Sequence, residues 1–143
     1  MNWKSIAPLA VLGPLMGALV VWGAFPPGTD RFFWGAIVLA SAFIVARREP
    51  AHVVKHGFAI GMWNGATSTL VQAFFVKQML ANNPWMAAKF AQAPKGFDME
   101  FFVFMLVPFI GVAGGGMTGL VGLLFRRALS RGAVEPKEKE RLP

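Results

Sequence analysis

The sequence predicts an all-α integral membrane protein with four transmembrane helices and a short amphipathic surface helix between helices 3 and 4. Three observations lead there. The 143 residues are 55% hydrophobic and 15% charged, with a mean hydropathy of +0.52, against about 25% charged residues in an ordinary soluble domain. The apolar residues gather in runs that approach or exceed the ~20 helical residues needed to cross a ~30 Å hydrocarbon core. The 14 Lys and Arg outnumber the 7 Asp and Glu, giving a net charge of +7. Most of them sit between and after these runs, where basic residues hold loops on the cytoplasmic side. In a soluble chain that excess would point to nucleic acid; here no nucleic-acid partner is expected.

The first run covers residues 6–25 and contains no charge. Trp3 and Lys4 before it and Trp22 near its far end suit the interfacial belts of a span. Pro8 fits a first turn, whereas Pro14 lies inside and should kink the helix. A cleavable signal peptide is the competing reading. Against it, Lys4 is the one base ahead of the apolar core, the core is too long, and Trp22-Gly23-Ala24 puts a bulky residue where a small one is needed. Pro26, Pro27 and Gly28 end the run, and Asp30 is the expected N-cap of the second helix. The second run, residues 32–46, is only 15 residues long, but Arg47 and Arg48 can snorkel and complete the span.

The third run, residues 57–76, follows a basic loop punctuated by Glu49 and Pro50, and the fourth covers residues 101–125. Asp98 is the expected N-cap of the fourth, with Glu100 placing negative charge at the positive end of its dipole. Between them Asn83 and Pro84 read as N-cap and first helical position. Trp85, Met86, Phe90 and Ala93 then fall near one side with Lys89 and Gln92 at its edges, which is the pattern of the surface helix. Residues 1–129 are therefore expected to form the transmembrane domain. Residues 130–143, which mix acids and bases with few apolar groups, are expected to form a flexible cytoplasmic tail. With the ends inside, the cytoplasmic segments hold ten Lys and Arg and the outer segments four, so the positive-inside rule predicts N-terminus and C-terminus cytoplasmic.

The spans carry two repeating sets of small and polar residues. Gly57, Gly61 and Gly65 in the third span and Gly111, Gly115 and Gly119 in the fourth are each spaced by four. Such residues let backbones approach where lipid gives helices no hydrophobic reason to associate. Packing of the two spans against each other is the expected use, with oligomerisation or a hinge as the alternative. Gly13 and Gly17 bring the first span into the same contact set. Asn64, Ser68 and Gln72 form a polar intramembrane face, also spaced by four. An unpaired amide is costly in hydrocarbon, so these groups must meet protein, water or a ligand. Interhelical hydrogen bonding is the expected role, and a polar path the alternative.

Other chemistry is sparse. The absence of Cys excludes disulfides, thiolate metal sites, cysteine nucleophiles and a lipidated cysteine. No Asp, Glu, Lys, Arg or His lies in the central part of a span, which argues against a proton-coupled transporter. His52 and His56 are four apart at the cytoplasmic boundary. They are weak ligand candidates, since two histidines lack the usual third ligand of a metal site. The run GVAGGG in the fourth span lacks the lysine and hydroxyl of a phosphate loop. No Ser-His-Asp set is assembled, and no catalytic residue, metal or cofactor is expected, with lipid or pigment contact the remaining option.

Residues 50–127 resemble the small bacterial membrane proteins of domain of unknown function family 4199. The shared features are a basic loop ahead of the third span with Lys55, Phe58 and Gly61, a non-cytoplasmic segment after that span, and Pro108, Gly111, Gly119 and Leu120 in a last span ending in Arg126 and Arg127. The resemblance implies a bacterial inner membrane location and brings no activity or residue roles. The expected function is that of a small non-catalytic accessory or structural subunit, in contact with membrane lipids and packing against other membrane-protein subunits or itself. The alternative is a small oligomeric channel or transporter lined by the third helix.

Overall fold

The structure is a computed structural model that describes Lys4 and residues 7–94 and 96–132. Its regular structure is all helical, with no strand among the described residues. A 3-10 turn, Ala7–Val11, leads into α1, Leu12–Val21. Then come α2, Asp30–Arg48, a second 3-10 turn, Pro50–His52, and α3, Val53–Phe74. Two short helices, α4 (Val76–Asn82) and α5 (Pro84–Phe90), fill the connection to α6, Met99–Gly132.

By length and composition, one helix among the described residues is long and apolar enough to cross a membrane, Met99–Arg131. Just 22% of its most apolar stretch is buried inside the protein, so its side chains look outward. The other three expected spans fall short of that criterion for identifiable reasons. α2 has 19 residues but carries Asp30 and Arg31 at one end and Arg47 and Arg48 at the other. α3 has 22 residues and is interrupted by Asn64, Ser68 and Gln72. The first run is not one kinked helix but a 5-residue 3-10 turn followed by a 10-residue α-helix.

Proline explains that division. Pro14 has no N–H to donate back to Ala10, so a continuous α-helix would strand the Ala10 carbonyl. The chain winds as a 3-10 turn up to Val11 and as an α-helix from Leu12, which moves Pro14 into the first turn of α1, where its missing donor costs little. α1 ends in a Schellman motif. Gly23 takes φ +69°, its N–H donates to the Val20 carbonyl at 3.1 Å and the Ala24 N–H to that of Leu19 at 3.0 Å.

Other boundaries also shift. Asp30 is the first residue of α2 rather than its cap, and Thr29 holds the cap position. Asp98 does cap α6, accepting the Phe101 N–H at 3.0 Å. α6 stays helical to Gly132, so Ser130 and Arg131 belong to it rather than to a tail. The remainder of that expected tail, residues 133–143, and the positions Trp3 and Lys95 lie outside the described residues.

α3 is the central helix. Its contact with the antiparallel α6 is the most extensive in the molecule, and α1 packs on a neighbouring face of it. Two apolar clusters sit at opposite ends. One gathers Met16, Val20, Ala73, Val76, Met79 and Val103, the other Leu9, Val45, Ala46, Val53 and Ile60. Along α3, the small and polar residues Gly61, Asn64, Gly65 and Ser68 separate the two.

The glycines set the α3–α6 register. A Cβ added at Gly57 would stand 2.9 Å from the Gly119 Cα, one at Gly61 would collide with the Gly114 carbonyl oxygen, and one at Gly65 would stand 2.7 Å from the Ile110 carbonyl oxygen. Gly111 faces Met62 and Ala66, and Gly115 faces Phe58. The spacing puts Gly115 and Gly119 against Gly61 or Gly65; instead Gly115 meets Phe58, and Gly119 meets Gly57 and Val54, with Gly57 about one turn from Gly61 and two from Gly65.

Candidate functional site

The polar face of α3 looks at α1. Asn64, 3% exposed, accepts the Gly13 N–H on its Oδ1 at 3.0 Å. Gly13 is the second residue of α1, and the 3-10 turn before it leaves its N–H without an α-helical partner. Asn64 therefore caps α1 from another helix. Next to it, the Trp63 indole Nε1–H donates to the Ala10 carbonyl at 3.1 Å, the very acceptor that Pro14 cannot serve. Both ends of the proline defect are satisfied from α3, as a backbone away from water requires. The approach is close enough that a Cβ at Gly13 would stand 2.5 Å from the Asn64 Cα, and one at Gly17 would stand 2.7 Å from the Ser68 carbonyl oxygen.

The far end of α1 is held in the same way. Asn82 Nδ2 donates to the Val21 carbonyl and Asn83 Nδ2 to the Val20 carbonyl, each at 2.9 Å. Asn83 occupies the cap position of α5 but makes no side-chain cap bond to it. Its amide serves α1 and the Met79 carbonyl instead. A 10-residue helix too short to stabilise itself is thereby clamped at both ends by three asparagines.

The three residues of the polar face do not share one role. Asn64 and Ser68 lie against α1, whereas Gln72 donates from Nε2 to the Ser68 Oγ at 3.2 Å and reaches a cavity at the end of the bundle. The histidines also part. His52 is exposed, but His56 is fully buried, with its Nδ1 3.2 Å from the His52 carbonyl oxygen. A carbonyl only accepts, so that contact assigns the proton to Nδ1, and Nε2 has no hydrogen-bond partner. The boundary position of His56 in the sequence concealed this burial. Its ring centroid lies 6.0 Å from that of His52, and no group of three or more His, Cys, Asp or Glu assembles among the described residues.

The cavity has a volume of about 490 Å³, within the roughly 300–1,000 Å³ of small-molecule sites. α3 contributes Thr69 and Gln72 to its walls, and α6 contributes Val103, Leu106 and Ile110. Trp34 comes from α2, Met79 from α4, and Trp85, Met86, Phe90 and the exposed Lys89 of α5 line its remaining side. The Thr69 hydroxyl donates to the Gly65 carbonyl at 2.9 Å and adds little polarity. The Trp85 indole Nε1 is buried without an acceptor. The Lys89 ammonium lies 5.0 Å from the Trp85 ring centroid and pairs with no carboxylate among the described residues. The sequence marked Trp85, Met86 and Phe90 as one face of a surface helix; that face covers the cavity. Trp34, Thr69, Val103, Leu106 and Ile110 were not singled out, because their convergence depends on the crossing of three helices. No family model matches this chain, and neither a curated protein nor a solved structure does.

Proposed function

We propose that this chain is a four-span integral membrane protein, with α1, α2, α3 and α6 as the spans. It serves as a non-catalytic accessory or structural subunit packing against other membrane proteins of a bacterial inner membrane. The observation that carries the functional reading is the use made of the polar side chains in α3. Asn64 and Trp63 complete the backbone of α1, and Ser68 is taken by Gln72. A conduction path needs polar groups free to replace a solute's water, and along this seam they are already engaged.

The membrane setting is supported by the surface. Leu15 on α1, Phe43 on α2, Trp63 on α3 and Phe109, Met117 and Leu120 on α6 are all exposed. Water-soluble monomers rarely expose contiguous apolar patches above a few hundred Å². Short spans such as α1 with its 3-10 lead-in are accommodated by thinning of the bilayer and snorkelling flanks. The ten-to-four division of basic residues supports an orientation with the segments before α1 and after α6 cytoplasmic. The second reading, an oligomeric channel or transporter, draws on Gln72, whose amide reaches the cavity.

Purification in mild detergent followed by mass measurement and reconstitution tests the choice. A complex of fixed stoichiometry with unlike membrane subunits, and vesicles with no ion or solute flux above background, is the expected result. Self-association alone, accompanied by a flux that Gln72→Leu removes, would establish the transporter reading instead.

A further inference from the structure

A second hollow, of about 310 Å³, opens between the start of α3 and the end of α6. His52, Lys55 and Arg126 form its polar lining, which contains no carboxylate. Arg126 reaches across from α6, its Nη1 donating to the Pro50 carbonyl at 3.5 Å. That long contact engages one of the five N–H donors of a guanidinium and leaves the others for a ligand. Lys55 is exposed and makes no ion pair among the described residues, and the His52 imidazole has an N–H to donate in either neutral tautomer. The same end of the bundle carries Arg47, Arg48, Arg127 and Arg131, with Glu49 its one acid among the described residues. Like charges gathered in one place repel each other. An anion held between Lys55 and Arg126 relieves that repulsion and gains charge-assisted hydrogen bonds.

An apolar row leads away from the hollow along the α3–α6 seam. Val54 lines the hollow and stands in line with Phe58 and Met62, spaced by four on α3, a row about 12 Å long. These side chains are between 37% and 47% exposed, because the α6 residues beside them are Gly119, Gly115 and Gly111, which have no side chains to cover them. We infer that the hollow binds the phosphate of an anionic glycerophospholipid, with one acyl chain along the Val54, Phe58 and Met62 row. The phosphate oxygens accept from Lys55, Arg126 and His52. The join of a basic hollow to an apolar row selects a lipid over a free phosphate. The lack of a carboxylate in the lining selects an anionic headgroup over a zwitterionic one, whose ammonium would meet only cations. Basic pockets at the cytoplasmic ends of membrane helices suit such headgroups. The site rests on the four-span reading, which puts this end of the bundle at the cytoplasmic surface. Binding is measured on the folded chain in detergent, so its failure would leave the four crossings standing.

Native mass spectrometry of the full chain in mild detergent reads lipid retention directly. The protein is titrated with phosphatidylglycerol, with phosphatidylcholine of the same acyl chains, and with phosphatidylglycerol in competition with glycerol 3-phosphate. One phosphatidylglycerol per chain should be retained at concentrations where phosphatidylcholine is lost, and glycerol 3-phosphate should not displace it. Lys55→Gln should raise the Kd about fivefold and Arg126→Gln about tenfold. Lys77→Gln, an exposed lysine paired with Glu100 at the opposite end of α6, should leave it unchanged. Lys55→Gln removes no ion pair and should melt with the wild type in the absence of lipid, so it decides the question even if Arg126→Gln fails to fold. Equal retention of the two lipids, an unaltered Kd in Lys55→Gln, or an equal loss in Lys77→Gln would overturn the proposal. Displacement by an equal concentration of glycerol 3-phosphate would overturn the assignment of a lipid in favour of a free phosphate.

Discussion

Gly61→Ala should be among the most damaging single-methyl additions in this protein. The new Cβ would collide with the Gly114 carbonyl oxygen and stand 2.5 Å from the Thr118 hydroxyl. The carbonyl belongs to backbone, so relief requires α3 and α6 to separate. Thr118 cannot turn away freely, because its hydroxyl donates to that same Gly114 carbonyl at 2.8 Å. Overpacking in a tight core costs about 1–3 kcal/mol, and a contact with backbone puts this change at the upper end. Thermal unfolding in detergent should therefore drop by several degrees. Gly116→Ala is the control, since a Cβ there meets nothing within 4 Å. It should melt with the wild type or slightly above it, as alanine is the better helix former. Equal melting of the two variants would mean that the α3–α6 register is wrong.

Asn64→Leu is the second large effect. It removes the acceptor of the Gly13 N–H in a place that water does not reach, and stranding such a donor costs about 1–3 kcal/mol. The 3-10 turn ahead of Gly13 offers no replacement acceptor in the α-helical position. The expected outcome is faster amide exchange through the first turn of α1, with insertion into the membrane retained. Gln72→Leu breaks only a side-chain pair with Ser68 at the cavity wall. It should cost less than about 1 kcal/mol, the usual value of a hydrogen bond between side chains in a membrane protein. If Gln72→Leu proved the costlier change, the division of the polar face described above would fail.

Much of this packing was readable from spacing alone, and the limits of the reading are physical. A repeat of four places Gly57, Gly61 and Gly65 on one side of a helix and Gly111, Gly115 and Gly119 on one side of another, so their meeting could be foreseen. The register could not, because sliding one helix past the other by a turn preserves the pattern. Pro14 announced a defect, but whether the chain kinks or changes to a 3-10 turn depends on donors supplied from elsewhere. Those donors and acceptors, Trp63, Asn64, Asn82 and Asn83, lie about 50–60 residues away along the chain and carry no local signal of their partner. His56 looked like a boundary residue because Lys55 and two arginines are its neighbours in sequence, yet it lies on the buried side of α3 together with Val53 and Ile60. The cavity was half visible, in the apolar side of α5. Its other walls come from α2, α3, α4 and α6 and exist only once those helices meet.

The four crossings proposed for α1, α2, α3 and α6 can be tested directly, because the chain contains no cysteine. Pro27→Cys, Ala51→Cys and Gln92→Cys each place one thiol at an exposed position between the long helices, and Ser130→Cys places one at an exposed position in the last turn of α6. The measurement is labelling of intact cells by a membrane-impermeant maleimide, compared with labelling after permeabilisation. The thiols at positions 27 and 92 are expected to react in intact cells and those at 51 and 130 only after permeabilisation. Reaction of positions 27 and 51 from the same side would contradict this, since α2 would then not span the membrane.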